Sequence, residues 1–182
     1  MSYGYNKDLM KTLRPIRLNQ LKIEAKLLHK ALKTDFVNTA SRYLAHPLFS
    51  DLTFSELQNK LPQLQLKHAY FIIAHEYGFK RWEDLKSEVV KNDLLFRSNG
   101  VGFIYKWFKT YPETLNYHKQ HGGYLLQFWK DYVICGHEYI QILGLDQYPK
   151  LWQDIGYNWV EPLNATAYQQ LYKKALLLYT SL

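Results

Sequence analysis

The sequence predicts an α+β, mainly helical protein. An N-terminal helical module with a helix–glycine–helix corner is followed by a small β-α-β-β-α unit and a C-terminal helix. Three observations carry this prediction. Apolar residues recur at helical spacing through residues 18–33 and 64–77. Gly78 stands directly after the second run, where a glycine ends helices. Beyond about residue 102, short aromatic and β-branched runs bounded by turn residues take over.

The first helix is expected over 18–33. Leu18, Leu21, Ala25, Leu28 and Leu32 step by 3, 4, 3 and 4, which places all five on one stripe. Pro15 just precedes it, where proline is tolerated. A second helix over about 35–45 stops at His46-Pro47, because the residue before a proline is pushed out of the helical region. Thr53 and Glu56 have capping-box spacing and start a short helix that runs to about Lys60, with Pro62 interrupting. The next run carries Leu66, Ala69, Tyr70, Ile73, Ala74 and Tyr77 on its apolar side. Gly78 closes it, Phe79 folds back onto its last turn, and a new helix starts near Arg81 with Trp82, Leu85 and Val89 inward. So short a turn forces the two helices to bend sharply against each other.

Turn residues at Arg97-Ser98-Asn99-Gly100 and Gly102 place a module boundary near 93–101, dividing the chain into 1–92 and 93–182. Residues 103–108 read as a strand. Thr110 and Glu113 again have capping-box spacing, Pro112 fits the first helical turn, and the helix runs to about Gln120 before His121-Gly122-Gly123. Residues 124–129 and 132–135 read as a hairpin turning at Lys130-Asp131, an unusual two-residue turn that leaves a bulged or longer loop open. A helix near 137–143 closes at Gly144, a short one forms near 149–155, and the last helix, over 164–179, is capped by Asn164.

Composition narrows the class. The chain has 182 residues, 47% apolar and 21% charged, enough to bury a core. Cys135 is the single cysteine, so no internal disulfide forms; within Tyr132-Val133-Ile134-Cys135 it reads as a buried thiol. Residues 1–8 show no secretory signal, and no apolar run approaches the roughly 20 residues of a membrane span, so a cytoplasmic location without membrane contact is expected. The net charge is +7 and uneven. Residues 1–92 hold 15 basic side chains against 9 acidic ones, and residues 93–182 hold 8 against 7. A basic module beside a near-neutral one suits two different partners.

No catalytic, metal or cofactor signature is present. His75-Glu76 begins like a zincin helix, but position 79 is Phe where the second ligand belongs. His118 and His121 could share a helix edge, yet zinc takes three or four ligands. No Gly-x-Ser-x-Gly element occurs, and Gly100-Val101-Gly102 and Gly122-Gly123 lack the rest of a phosphate loop.

Two binding patterns remain. Lys22, Lys26, Lys30 and Lys33 form a ridge opposite the apolar stripe, with Arg81 as a further cation; such a row suits a phosphate backbone or simply faces water. The glycine corner resembles half of a DNA-reading helix-turn-helix, but Glu83, Asp84 and Glu88 on its second helix would repel phosphate. The second half is rich in tyrosine and tryptophan, and Tyr124 and Trp129 are its candidate contact residues.

Residues 21–32 together with 68–86, centred on Ala74, Gly78, Phe79, Trp82 and Leu85, resemble a short helical module that precedes ankyrin repeats or glyoxalase-like domains in bacterial proteins. The resemblance covers residues 18–90 and implies a fold piece with no attached activity. Residues 103–172 resemble a segment of uncharacterised bacterial proteins. The leading functional expectation is a non-catalytic binding or adaptor protein with a protein partner. Alternatives are a nucleic-acid binder using the basic half, and a small enzyme with a site near Tyr124, Trp129, His118 or His121.

Overall fold

A computed structural model describes residues 11–180 of the chain, so the expectation for residues 1–8 lies outside it. Among the described residues there are nine α-helices and one three-stranded antiparallel sheet, the α+β and mainly helical fold that the sequence predicts. The chain forms two compact units, Met1–Val90 and Lys91–Leu182.

In the first unit, α1 spans Leu18–Thr34 and buries all five residues of the predicted stripe. Helix α2 follows at Phe36–Leu44, and α3 spans Phe54–Asn59. The Thr53 hydroxyl accepts from the Glu56 N–H at 3.3 Å while the Glu56 carboxylate accepts from the Thr53 N–H at 2.7 Å, so the box closes in both directions. Pro62 falls in a 3-10 turn at Leu61–Gln63. Helix α4, Leu66–Glu76, buries Ala69, Ile72, Ile73 and Ala74.

Its end has the expected chemistry. Gly78 has φ +80°, a conformation that strains any residue with a Cβ. Its N–H donates to the His75 carbonyl at 2.9 Å, and the Phe79 N–H reaches back to the Ala74 carbonyl at 2.9 Å. Helix α5, Trp82–Asp93, then sets Trp82 against Tyr70 with ring centroids 4.4 Å apart. Beside the corner, Glu76 ties three segments together. Arg42 donates to it through Nε at 2.6 Å and Nη2 at 2.8 Å, and Lys11 pairs with it at 2.9 Å and with Glu24.

In the second unit a 3-10 turn at Ser98–Phe103 leads into β1, Ile104–Phe108. Helix α6, Tyr111–His121, has Pro112 in its first turn and ends at Gly122 with φ +71°. Only part of its predicted capping box forms: the Thr110 hydroxyl donates to the Glu113 carboxylate at 2.8 Å and takes no backbone N–H. Strands β2, Tyr124–Phe128, and β3, Asp131–Cys135, make the hairpin, and the strand order is β1-β3-β2.

The hairpin turn corrects the sequence reading. Phe128 pairs with Asp131, so the turn residues are Trp129 and Lys130, one position earlier than expected. Trp129 takes φ +53°, a conformation that glycine or asparagine usually supplies, so no turn residue marks it.

Both faces of the sheet are covered. Phe108 and Tyr132 meet Tyr117 and Tyr111 of α6 at 5.4 and 5.8 Å. On the other face, Phe128 meets Phe96 at 5.6 Å and Tyr139 at 5.7 Å. Tyr139 lies on α7, His137–Leu143. Its buried hydroxyl donates to the Leu95 carbonyl at 2.8 Å and accepts from the Arg97 N–H at 2.9 Å. Gly100 makes room for it: a Cβ there would lie 2.7 Å from the Tyr139 ring. Helix α8, Pro149–Asp154, buries Trp152, whose indole N–H donates to the Leu145 carbonyl at 3.0 Å. Helix α9, Ala165–Thr180, is capped as expected, with the Asn164 Oδ1 accepting from the Thr166 and Ala167 N–H groups at 3.0 Å each.

Candidate functional site

Because the buried stripe fixes the rotation of α1, Lys22, Lys26, Lys30 and Lys33 all face solvent. None has a carboxylate within 4 Å among the described residues. Two apolar residues share this outer side: Ile23 is 46% exposed and Leu27 61%. Arg81 differs from the lysines. Its guanidinium donates to Asp84 through Nε at 3.0 Å and Nη2 at 2.6 Å, which holds the Asp84 carboxyl below the usual carboxylate range. Arg81 lines a shallow groove of about 440 Å³ with Lys67, Tyr70, Phe71, Trp82 and Glu83.

The structure does not bring Tyr124 and Trp129 together. They lie at opposite ends of β2, about 17 Å apart along an extended strand, and both are half-buried. Tyr124 is boxed in by Trp152 at 5.0 Å and Tyr157 at 5.3 Å, and burial raises its phenol pKa. Its hydroxyl meets His137 Nδ1 at 3.3 Å, a pairing that sequence spacing did not suggest. Trp129 is committed to the turn, with its N–H donating to the Asn92 carbonyl at 3.2 Å.

His118 and His121 finish α6. His118 Nε2 lies 3.1 Å from the Gly123 carbonyl, while His121 stacks on Tyr117 at 4.0 Å with Nδ1 3.0 Å from that residue's carbonyl. Cys135 is fully buried, and burial pushes its thiol pKa up, which leaves the nucleophilic thiolate scarce. No group of three or more His, Cys, Asp or Glu side chains converges as metal ligands among the described residues. No helix among them is long and apolar enough to cross a membrane.

The exposed aromatic surface lies elsewhere, on β1. A three-stranded sheet has two edges. The β2 edge is covered: the Leu125 N–H donates to the Tyr157 carbonyl at 2.9 Å, and the Trp159 N–H donates to the Leu125 carbonyl at 2.9 Å. The β1 ladder pairs with β3 alone, so its outer backbone edge is open among the described residues. A register irregularity between Ile104 and Lys106 lifts Tyr105 out of the ladder, leaving it 62% exposed. Trp107 is 43% exposed, with its ring edge braced on Phe128 at 5.9 Å.

Val101 and Phe103, in the preceding turn, extend the apolar strip. Lys106 follows Tyr105 in the chain and lies on the opposite sheet face from Trp107; it stands exposed without a carboxylate partner among the described residues, whereas Lys109 pairs with Asp131 at 2.5 Å. Gly136 belongs to this surface: the Tyr105 hydroxyl and the Glu138 carboxylate lie where its Cβ would be. The short aromatic run of residues 103–108 announces a strand. Only the strand order, which places β3 between β1 and β2, makes it an edge. Compared with known protein families, curated proteins and solved structures, the chain has no significant match.

Proposed function

We propose that the chain is a cytoplasmic, non-catalytic adaptor that binds an extended segment of a partner protein along β1. The observation that carries this reading is the open strand edge flanked by exposed Tyr105 and Trp107. An edge strand offers unpaired N–H and C=O groups to a guest strand, and alternate side chains of the guest then meet the aromatic rings. Tyrosine and tryptophan are the residues that dominate such contacts.

Charge selects the guest. Two copies of β1 pairing antiparallel would bring Lys106 toward its own copy, and edge lysines of this kind oppose self-association. An acidic segment instead gains a cation on the same open edge, on the face opposite Trp107. Panning displayed linear peptides against the immobilised chain tests the reading. Enriched peptides should carry acidic residues alternating with apolar ones, and should lose binding to Lys106→Glu and Tyr105→Asp variants. Peptides that bind these variants as well as the parent chain would remove β1 as the site.

A second reading has its own support in the unpaired α1 lysines. A phosphate backbone would engage Lys22, Lys26, Lys30 and Lys33 as a row. Titration of single-stranded and duplex DNA or RNA at about 50 and 200 mM salt checks it, since each neutralised phosphate adds about 0.7–0.9 to the log–log salt slope. No binding at the lower salt sinks that reading.

A further inference from the structure

Four histidines gather in the first unit from three segments. His29 lies on α1, His46 follows α2, and His68 and His75 lie on α4. His46 stands edge-on to His75 with centroids 4.9 Å apart. Buried Phe49 lies between His46 at 6.1 Å and His68 at 5.9 Å, and it rests on buried Tyr43 at 5.7 Å. Phe49 is the plug of a tight double turn, in which its N–H donates to the His46 carbonyl at 2.9 Å and the Leu52 N–H donates to the Phe49 carbonyl at 3.0 Å.

The hydrogen bonds require neutral rings. His46 Nδ1 accepts from the Leu48 N–H at 3.0 Å, and His68 Nδ1 accepts from the Gln65 N–H at 2.8 Å. An imidazolium has a proton on each nitrogen and accepts nothing, so protonation breaks the His46 bond, whereas a protonated His68 Nδ1 finds an acceptor in the Gln65 carbonyl 3.2 Å away. His29 Nδ1 is buried without a hydrogen-bond partner. The charges bearing on the cluster are all positive: Lys33 from α1 acts on His29, and Lys67 from α4 acts on His68. The acid next to His75 in sequence, Glu76, is occupied by Arg42 and Lys11, and Arg42 of α2 is likewise committed to it. No carboxylate forms an ion pair with any of the four among the described residues.

We propose that this cluster is an acid-sensitive latch: neutral histidines hold the His46–Leu52 turn against α4, and their protonation releases the turn and uncovers Phe49. The direction of the titration agrees. Burial, reinforced by His75, lowers the His46 pKa to about 4, and burial also lowers those of His29 and His68. A released His46 returns to its ordinary value of 6.5 and takes up a proton. The latch is therefore complete above pH 6.5 and weakens as pH falls from there toward 4. One proton taken up in this window shifts the opening equilibrium about 30-fold by pH 5, and solvent screening of the half-exposed ring reduces that to about tenfold.

Hydrogen exchange of the full chain, corrected for intrinsic rates, at about pH 7.5 and 5.0 tests the latch. Amides of residues 48–52 should lose about tenfold in protection at the lower pH, while those of β2 and β3 hold theirs. A His46→Gln, His75→Gln variant should lose most of this response. Equal protection at both pH values in the parent chain, or an undiminished loss in the variant, overturns the proposal. Should the variant not fold, the imidazole carbon-proton signals of the parent chain decide. A His46 midpoint near 4 that moves together with the Phe49 ring signals supports the latch; a midpoint near 6.5 independent of Phe49 overturns it.

Discussion

Replacing Glu76 with alanine removes the carboxylate that ties α4 to Arg42 of α2 and to Lys11, and leaves Glu24 of α1 as the remaining partner of both cations. The side chain is 15% exposed and accepts two bonds from Arg42, at 2.6 and 2.8 Å, besides pairing with Lys11 at 2.9 Å. Exposed ion pairs are worth about 0–1 kcal/mol, and breaking a fully buried pair costs about 3–5. This network lies between those limits, because Arg42 and Lys11 are 37% and 38% exposed and keep Glu24 and water as partners once Glu76 is gone. The expected cost is about 2 kcal/mol, which is about a 30-fold rise in exchange of α4 amides that open with the unit.

A double-mutant cycle with Arg42→Ala should return about 1–2 kcal/mol of coupling, since the two side chains share two bonds. The pH dependence has a definite sign. Burial works to raise the Glu76 pKa, but bonds from Arg42 and Lys11 overcome it and leave the folded value below 4.5. The contribution is thus present above the unfolded pKa and lost as pH falls through the folded one. Coupling below about 0.3 kcal/mol would refute the reasoning and reduce the network to a solvated ion pair.

Three more outcomes follow from particular residues. Gly78→Ala must place a Cβ at φ +80° and should destabilise the first unit by about 1–2 kcal/mol in denaturant titration; an unchanged midpoint would mean that the corner relaxes. Cys135 is fully buried with its thiol pKa pushed up, so a thiol reagent should label it only at the rate of opening and quickly once denaturant is added. Changing Lys22, Lys26, Lys30 and Lys33 together to alanine should leave stability within about 0.5 kcal/mol, because these side chains face solvent without partners; a larger loss would show that the ridge helps to hold α1.

What the sequence made legible was whatever depends on neighbours along the chain. The α1 stripe, the Thr53–Glu56 box, Gly78 and the Asn164 cap are all local devices, and the structure shows each of them. The Trp129 turn escaped because a tryptophan at φ +53° carries none of the usual turn signals; sheet register overrides propensity there. The contact residues escaped for a different reason. Tyr124 has the right side chain for a surface, but Trp152 and Tyr157, far along the chain, cover it. Tyr105 and Trp107 are exposed because β3 rather than β1 is the middle strand, a fact about pairing order. The histidine cluster likewise depends on a turn that folds His46 against His75, residues from different helical segments.

Site-directed photo-crosslinking tests the central claim most directly. A photoreactive phenylalanine analogue at position 105, on the open edge, should capture the partner's segment in living cells. The same group at position 163, where Leu163 is 83% exposed but away from the β1 ladder, should not. The β1 account predicts a product at 105 that disappears with Lys106→Glu and maps to an acidic, extended stretch of the partner. Equal products at both positions, or a product at 105 indifferent to Lys106→Glu, would contradict it.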